Sequence, residues 1–234
     1  LPEQPELSIW LRPERSGRGP APGFDRDRLA QAGVELADAE GLAAVTMRAV
    51  ATSLGSAPAS LYRYVATRDE LIELMVDRVN AEISYDGLGA GEWLDELLLL
   101  ARQARGVLLR HPWLLDVFNG TAPVGPHTLV FLDRCLGALA DLSLDGRQKL
   151  EGVSVLMALV TALVRAQLAD REGAEEPPLW RRAQQQYLAH VAATGEHPHV
   201  AAALLEARPL KGSKSPDELF DRIVTRALRG LLGF

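Results

Sequence analysis

Residues 46–65 read TMRAVATSLGSAPASLYRYV, two apolar-periodic segments joined at Gly55. Both are shorter than the roughly 12–15 residues an isolated helix needs in water. Neighbouring elements must therefore hold them. Leu61 and Val65, spaced by four, share a face that can seat on Val50, Ala51 and Leu54. Ser56, Ala59, Ser60, Tyr62 and Arg63 are left outside, forming a polar and aromatic face that a core does not require. Thr46 can cap the first segment, and Pro58 falls in the first turn of the second, where a missing N–H does no harm.

The flanks supply the neighbours. From Asp25 onward, Leu29, Ala32, Gly33, Leu36 and Ala37 line one helical face, with Gly41 as its stop. Thr67-Arg68-Asp69-Glu70 forms a capping box that opens a longer helix, expected to reach about residue 84. Beyond the glycines at 87, 89 and 91 the pattern is helical throughout, over about 92–110, 112–119, 126–142, 146–171, 178–194, 198–207 and 217–232. No segment alternates as a strand does. The reading is an all-α chain in two domains. Residues 1–24, rich in Pro, Gly and Arg, are expected to be an arm without regular structure. Residues 25–68 form a helix-turn-helix unit, the 68–84 helix connects, and 85–234 form the larger body. The stretch 207–218 is expected to be a mobile loop.

A helix of about 10 Å would suit the major groove of B-DNA, about 12 Å wide. The overall charge of −6 argues against a general polyanion coat. Its distribution points the other way locally: residues 41–68 contain Arg48, Arg63 and Arg68 and no acid. Ser60 and Tyr62 can donate to phosphates or base edges, and Arg48 can reach either. Arg68, in a helix first turn, lies where N–H groups already favour an anion. Arginines 12–28 in the arm have a solvated tail as their plain reading and a minor-groove arm as the functional one.

The run ADAEGLAAVTMRAVATSLGSAPASLYRYVATRDELIELMVDRV closely resembles the DNA-binding domain of the TetR family of transcriptional regulators. The likeness lies in A-x-x-L-x-x-x-G-L, T-M-R-x-V-A-x-x-L-G, S-L-Y-R-Y-V and D-E-L. The Arg-rich preface before Phe24 resembles an actinobacterial branch of that family. The resemblance implies that Thr46 and Arg48 meet DNA from the second helix and that 56–62 is the recognition helix. Arg68 then stands where relatives often carry a phosphate-binding lysine. Ala57, Pro58 and Ala59 leave few hydrogen-bonding side chains for base readout, so recognition would lean on thymine methyls, Arg48 and DNA shape.

The rest of the chain is read more coarsely. Met75, Trp113, Phe118 and Met157 are core residues by default and, in a TetR-like body, candidates with Thr161 for lining a small-molecule cavity. Arg102 is either a polar anchor there or an arginine lying along the surface. In the last helix Leu219/Phe220, Ile223/Val224 and Ala227/Leu228 repeat every four residues, wider than one neighbour needs. With the apolar 150–168 helix they suit a four-helix interface across a two-fold axis; two buried core helices are the other reading.

Histidines 111, 127, 190, 197 and 199 lack two-ligand spacing, and His197-Pro198-His199 reads as a turn. Cys135 and Ser154 sit in no nucleophile motif. No catalytic residue, metal or cofactor is expected. One cysteine fits a reducing cytosol, and no apolar run reaches the roughly 18 residues of a membrane span. The chain begins at Leu1, so the native N-terminus is expected upstream. The sequence thus describes a cytoplasmic, homodimeric regulator, most simply a repressor. It would bind a palindromic DNA operator and release it on taking up a largely apolar small molecule. Two other readings stay open: an all-helical enzyme with a structural N-terminal bundle, and a regulator that answers to a protein partner.

Overall fold

The computed structural model describes residues 8–13, 25–89, 91–118, 123–175, 179–206 and 215–232. Among them it contains helices and turns and no strand.

Helix α1, Arg26–Glu40, starts where the Asp25 carboxylate accepts from the Arg28 N–H at 2.8 Å. It ends at Gly41, whose φ of 84° favours glycine. A short 3-10 turn, Leu42–Ala44, leads to α2, Met47–Ser53, capped by the Thr46 hydroxyl. Gly55, at φ 62°, turns the chain into α3, Pro58–Leu61. Val50, Ala51, Leu61 and Val65 are fully buried together, and this is how two such short helices persist. α4, Arg68–Asn80, opens on the expected capping box. Thr67 Oγ1 accepts from Glu70 N at 3.1 Å, while the Glu70 carboxylate accepts from Ala66 N at 2.7 Å. α4 ends four residues earlier than expected, since Ala81 caps it and the chain leaves the helix there.

The remaining helices are α5 (Trp93–Arg110), α6 (Leu114–Val117), α7 (Pro126–Ala138), α8 (Gly146–Glu175), α9 (Leu179–Thr194), α10 (Pro198–Glu206) and α11 (Pro216–Leu231). α5 is central and packs on α7, α8 and α11. Arg105, nearly buried on α5, stitches this body. It donates to Gln167 Oε1 on α8, pairs with Asp217 at 2.8 Å on α11 and covers the Phe220 ring. By length and apolarity, residues 146–171 of α8 would also suit a membrane span. Their packing against α5, α7 and α11 makes α8 a wall of a helical body instead. α9 and α10 pack on each other and leave Trp180 and Tyr187 exposed.

Part of the expected arm is ordered. Residues 9–11 form a 3-10 turn, and Ile9 is buried. Arg26 donates to the carbonyls of Ile9 (2.9 Å), Arg12 (3.0 Å) and Tyr64 (3.3 Å), and Arg12 pairs with Glu70. One buried isoleucine and three carbonyls anchored by one guanidinium outweigh the Pro/Gly content on which the expectation rested. Residues 14–24, with Arg15 and Arg18, and residues 207–214 lie outside the described residues.

α4 meets α7 through a buried carboxylate. Asp77 accepts from the N–H of His127 (2.8 Å) and of Thr128 (3.3 Å), and His127 Nδ1 lies 2.8 Å from its other oxygen. A side chain on α4 thus satisfies the orphan donors of α7. Gly125 permits this, for a Cβ there would collide with the Asp77 carboxylate. Gly125→Ala should cost about 1–3 kcal/mol of stability through overpacking. Gly137→Ala, in open space on the same helix, should be neutral or up to about 1 kcal/mol stabilising. Urea denaturation of the two variants checks the contrast.

Candidate nucleic-acid interface and effector cavity

The residues expected to touch DNA lie on one surface of α2 and α3. Thr46, Arg48, Ala59, Tyr62 and Arg63 are exposed, and Tyr62 keeps 56% of its surface accessible. Ser56 and Ser60 are half-buried. Their hydroxyls lie 2.6 Å apart, and Ser60 also donates to the Ala57 carbonyl at 2.6 Å. These serines shape the start of α3 before they can serve a ligand. Arg63 lies over the Tyr64 ring with its charge at the surface.

Arg68 differs from its expected role. Its Nε donates to the Val45 carbonyl at 2.6 Å and a terminal nitrogen donates to the Leu42 carbonyl at 2.8 Å. The side chain is thus a clamp from α4 onto the turn that enters α2. A helix first turn does attract anions, but here it is the carbonyls of that turn that take the guanidinium. Arg68 positions Thr46 and Arg48, and its phosphate assignment is corrected accordingly.

A cavity of about 870 Å³ lies among α4, α5, α7 and α8. Its wall is largely apolar, with Val76 and Ile83 from the α4 segment, Val107 and Leu108 from α5, and Phe131 and Leu132 from α7. Its polar lining is Asn80, Thr128, Thr161 and Arg165. Asn80 donates to the Thr128 hydroxyl at 2.9 Å, a second link from α4 to α7. Of the residues expected here, Phe118, Met157 and Thr161 line the cavity. Met75, Arg102 and Trp113 do not. Met75 is packed against Gly33 of α1. Arg102 sits outside in a two-pronged ion pair with Asp221, at 2.9 and 2.7 Å. That bond holds the Asp221 carboxyl below its ordinary range and raises Arg102. The Trp113 indole donates to Asp38 of α1 at 2.8 Å. Arg165 was missed, although the spacing Met157, Thr161, Arg165 along one helical face points to it.

Trp113 belongs to a polar junction between the two parts of the chain. His111 lies with Nδ1 at 2.8 Å from Asp38 and Nε2 at 3.1 Å from Glu82. Burial alone would raise the Glu82 carboxyl, but hydrogen bonds and charge from Arg110 and His111 outweigh it and hold it low. The stability this contributes is present at neutral pH and is lost as the pH falls through that lowered value.

In α11 the expected interface stripe is divided. Phe220, Val224 and Leu228 are buried within their own chain on α5 and α8. Leu219 stays exposed and Ile223 and Ala227 half-exposed. The stripe is wide because one side is already core, so only Leu219, Ile223 and Ala227 remain available to a second chain. Burial pushes the Cys135 thiol up to about 12, leaving it a packed apolar group. Among the described residues no three metal-ligating side chains converge.

Comparison with known proteins agrees with this geometry. A family profile described as "Bacterial regulatory proteins, tetR family" matches residues 29–75, and "Tetracyclin repressor-like, C-terminal domain" matches 87–233. The chain is 35% identical over 201 residues to the HTH-type transcriptional repressor DrrR1 of Streptomyces coeruleorubidus, covering 83% of this chain and 74% of that one. An HTH-type transcriptional regulator of Saccharopolyspora erythraea is 32% identical over 133 residues, 57% of this chain and 56% of that protein. Among solved structures, the TetR family protein ActR of Streptomyces coelicolor in complex with actinorhodin superposes with a TM-score of 0.75. It is 28% identical, with 91% of this chain and 98% of that one covered. A matched DNA-binding unit, a matched helical body and a cavity between the two make the chain a member of the TetR family, a ligand-responsive transcriptional repressor.

Proposed function

We propose that this chain binds a palindromic operator as a cytoplasmic homodimer and releases it when a largely apolar small molecule fills the cavity among α4, α5, α7 and α8. One observation carries the reading. α4 begins beside the acid-free, exposed face of α2 and α3 and ends as a wall of the 870 Å³ cavity. A ligand acting on Val76 and Asn80 acts on the helix that holds Arg68, and Arg68 holds the turn entering α2. Tilting α4 in two chains changes the spacing of two recognition helices, which must meet half-sites about 34–36 Å apart. The ligand must bind the DNA-free spacing more tightly, since equal affinity for both states shifts nothing.

Thr46, Arg48, Ala59, Tyr62 and Arg63 are the assigned contacts, with Ser56 and Ser60 ordering the α3 entry. A duplex selected from random sequences supplies the site for the tests. Tyr62→Ala should weaken it by about 1–3 kcal/mol if the ring reads a base. Arg48→Ala should lower the salt slope by about one unit. Arg68→Ala should lower thermal stability and affinity while leaving the salt slope unchanged. Unaltered affinity and slope in Tyr62→Ala and Arg48→Ala would move the DNA surface elsewhere.

Leu219, Ile223 and Ala227 of α11, with the exposed apolar residues Leu150 and Val155 of α8, are the assigned dimer surface. Ile223→Glu should give folded monomers that fail to bind a two-half-site operator. Leu228→Glu should instead unfold the body, because the charge enters the core of the chain itself. Sedimentation and far-UV circular dichroism distinguish the two outcomes.

Coupling would run through Asp77, which ties α4 to the first turn of α7, itself a cavity wall. Asp77→Asn keeps the shape and weakens the charge-assisted contacts to the α7 N-terminus. Ligand affinity measured with and without saturating operator should differ by about 5–150-fold in the wild type, and by less in this variant. Equal ratios in both proteins would exclude this link from the coupling path.

A further inference from the structure

The cavity wall carries a charge pattern that narrows what can occupy it. Among the residues lining it there is one charged side chain, Arg165, and no Asp or Glu. Arg165 lies on the outer part of α8, beside Ala162, Ala166 and Ala169, which line the cavity and are themselves accessible. Small side chains there leave the cavity open towards solvent, and the guanidinium stands at that opening. It is fixed rather than trailing, since a terminal nitrogen donates to the Leu115 carbonyl at 3.0 Å. Thr161, one turn earlier on the same face, spends its proton on the Met157 carbonyl at 2.8 Å. Asn80 and Thr128 are bonded to each other deeper in the wall.

From this distribution we infer that the effector is an organic anion: an apolar, ring-sized skeleton held in the cavity, with one carboxylate, sulfonate or phenolate received by Arg165 at the mouth. The inference rests on the reading of this cavity as the effector site. A planar guanidinium suits a bidentate oxyanion, and such charge-assisted bonds are stronger than neutral ones. The opening near α8 lets the anion keep part of its hydration, so its desolvation cost stays below that of a buried charge. A cationic ligand would meet the guanidinium with no lining carboxylate to offset it. A neutral ligand would gain the apolar wall alone.

Two dyes with a shared skeleton separate these cases. 8-Anilinonaphthalene-1-sulfonate is an anion, and N-phenyl-1-naphthylamine is its neutral counterpart. Both would be titrated by fluorescence into wild-type protein, Arg165→Gln and Ala162→Trp, the last placing an indole in the accessible wall. Arg165→Gln should lose roughly tenfold in affinity for the sulfonate and bind the neutral dye as the wild type does. Ala162→Trp should weaken both dyes. Equal sulfonate affinity in wild type and Arg165→Gln, with both dyes still weakened by Ala162→Trp, would overturn the anion inference and leave the cavity as the site. Dye binding indifferent to Ala162→Trp would overturn the cavity reading itself.

Discussion

A Cβ built on Gly33 would meet the Met75 sulfur at 2.6 Å, so α1 and α4 can lie this close only because residue 33 has no side chain. Most of the remaining architecture hangs from that contact. The α1–α4 pair is the platform on which α2 and α3 are seated, and neither of those could stand alone. It also fixes the direction in which α4 leaves the DNA-binding unit, and so where Val76, Asp77 and Asn80 meet α7. The thioether is suited to this place, because an unbranched, polarisable chain can fill the irregular space that a glycine leaves. The face that meets DNA and the wall that meets a ligand are therefore two ends of one buried helix.

Arginine is used here mainly to order the backbone. Arg26 gathers three carbonyls from the N-terminal turn, Arg12 and the end of α3, and Arg68 gathers two from the turn before α2. Arg105 performs the same service among side chains in the body, joining α5, α8 and α11. A rigid fork of five donors is well matched to loops whose carbonyls have no helical partner. The cost is that few cations remain for the polyanion: on the α2–α3 face, Arg48 and Arg63. An acidic protein can work with so few because two chains present them together and because hydroxyl and backbone groups share the positioning of phosphates.

Between the DNA-binding unit and the body lies the polar junction of Asp38, Glu82, Arg110, His111 and Trp113. Such groups hold a domain interface at a defined angle without welding it as an apolar core would. The tight link, Asp77 on the α7 N-terminus, lies instead at the cavity wall. A body that must tilt against its DNA-binding unit is well served by this division.

The element order was legible in the sequence because helix ends are local chemistry. Asp25, Thr46, Thr67 and Pro58 mark starts and Gly41 and Gly55 mark turns, and all of these act within four residues of themselves. The helix-turn-helix unit followed, since two helices too short to stand alone require the apolar faces found on either side. The partner of each long side chain was not legible. Arg68 and Arg102 look free in the sequence, and each is engaged by residues 23 to 119 positions away. The cavity escaped for the same reason: it is the space that four crossing helices fail to fill, so its lining depends on their angles. Periodicity marks Met75 and Met157 alike as apolar. Only the tertiary packing sends one against Gly33 and the other to the cavity wall.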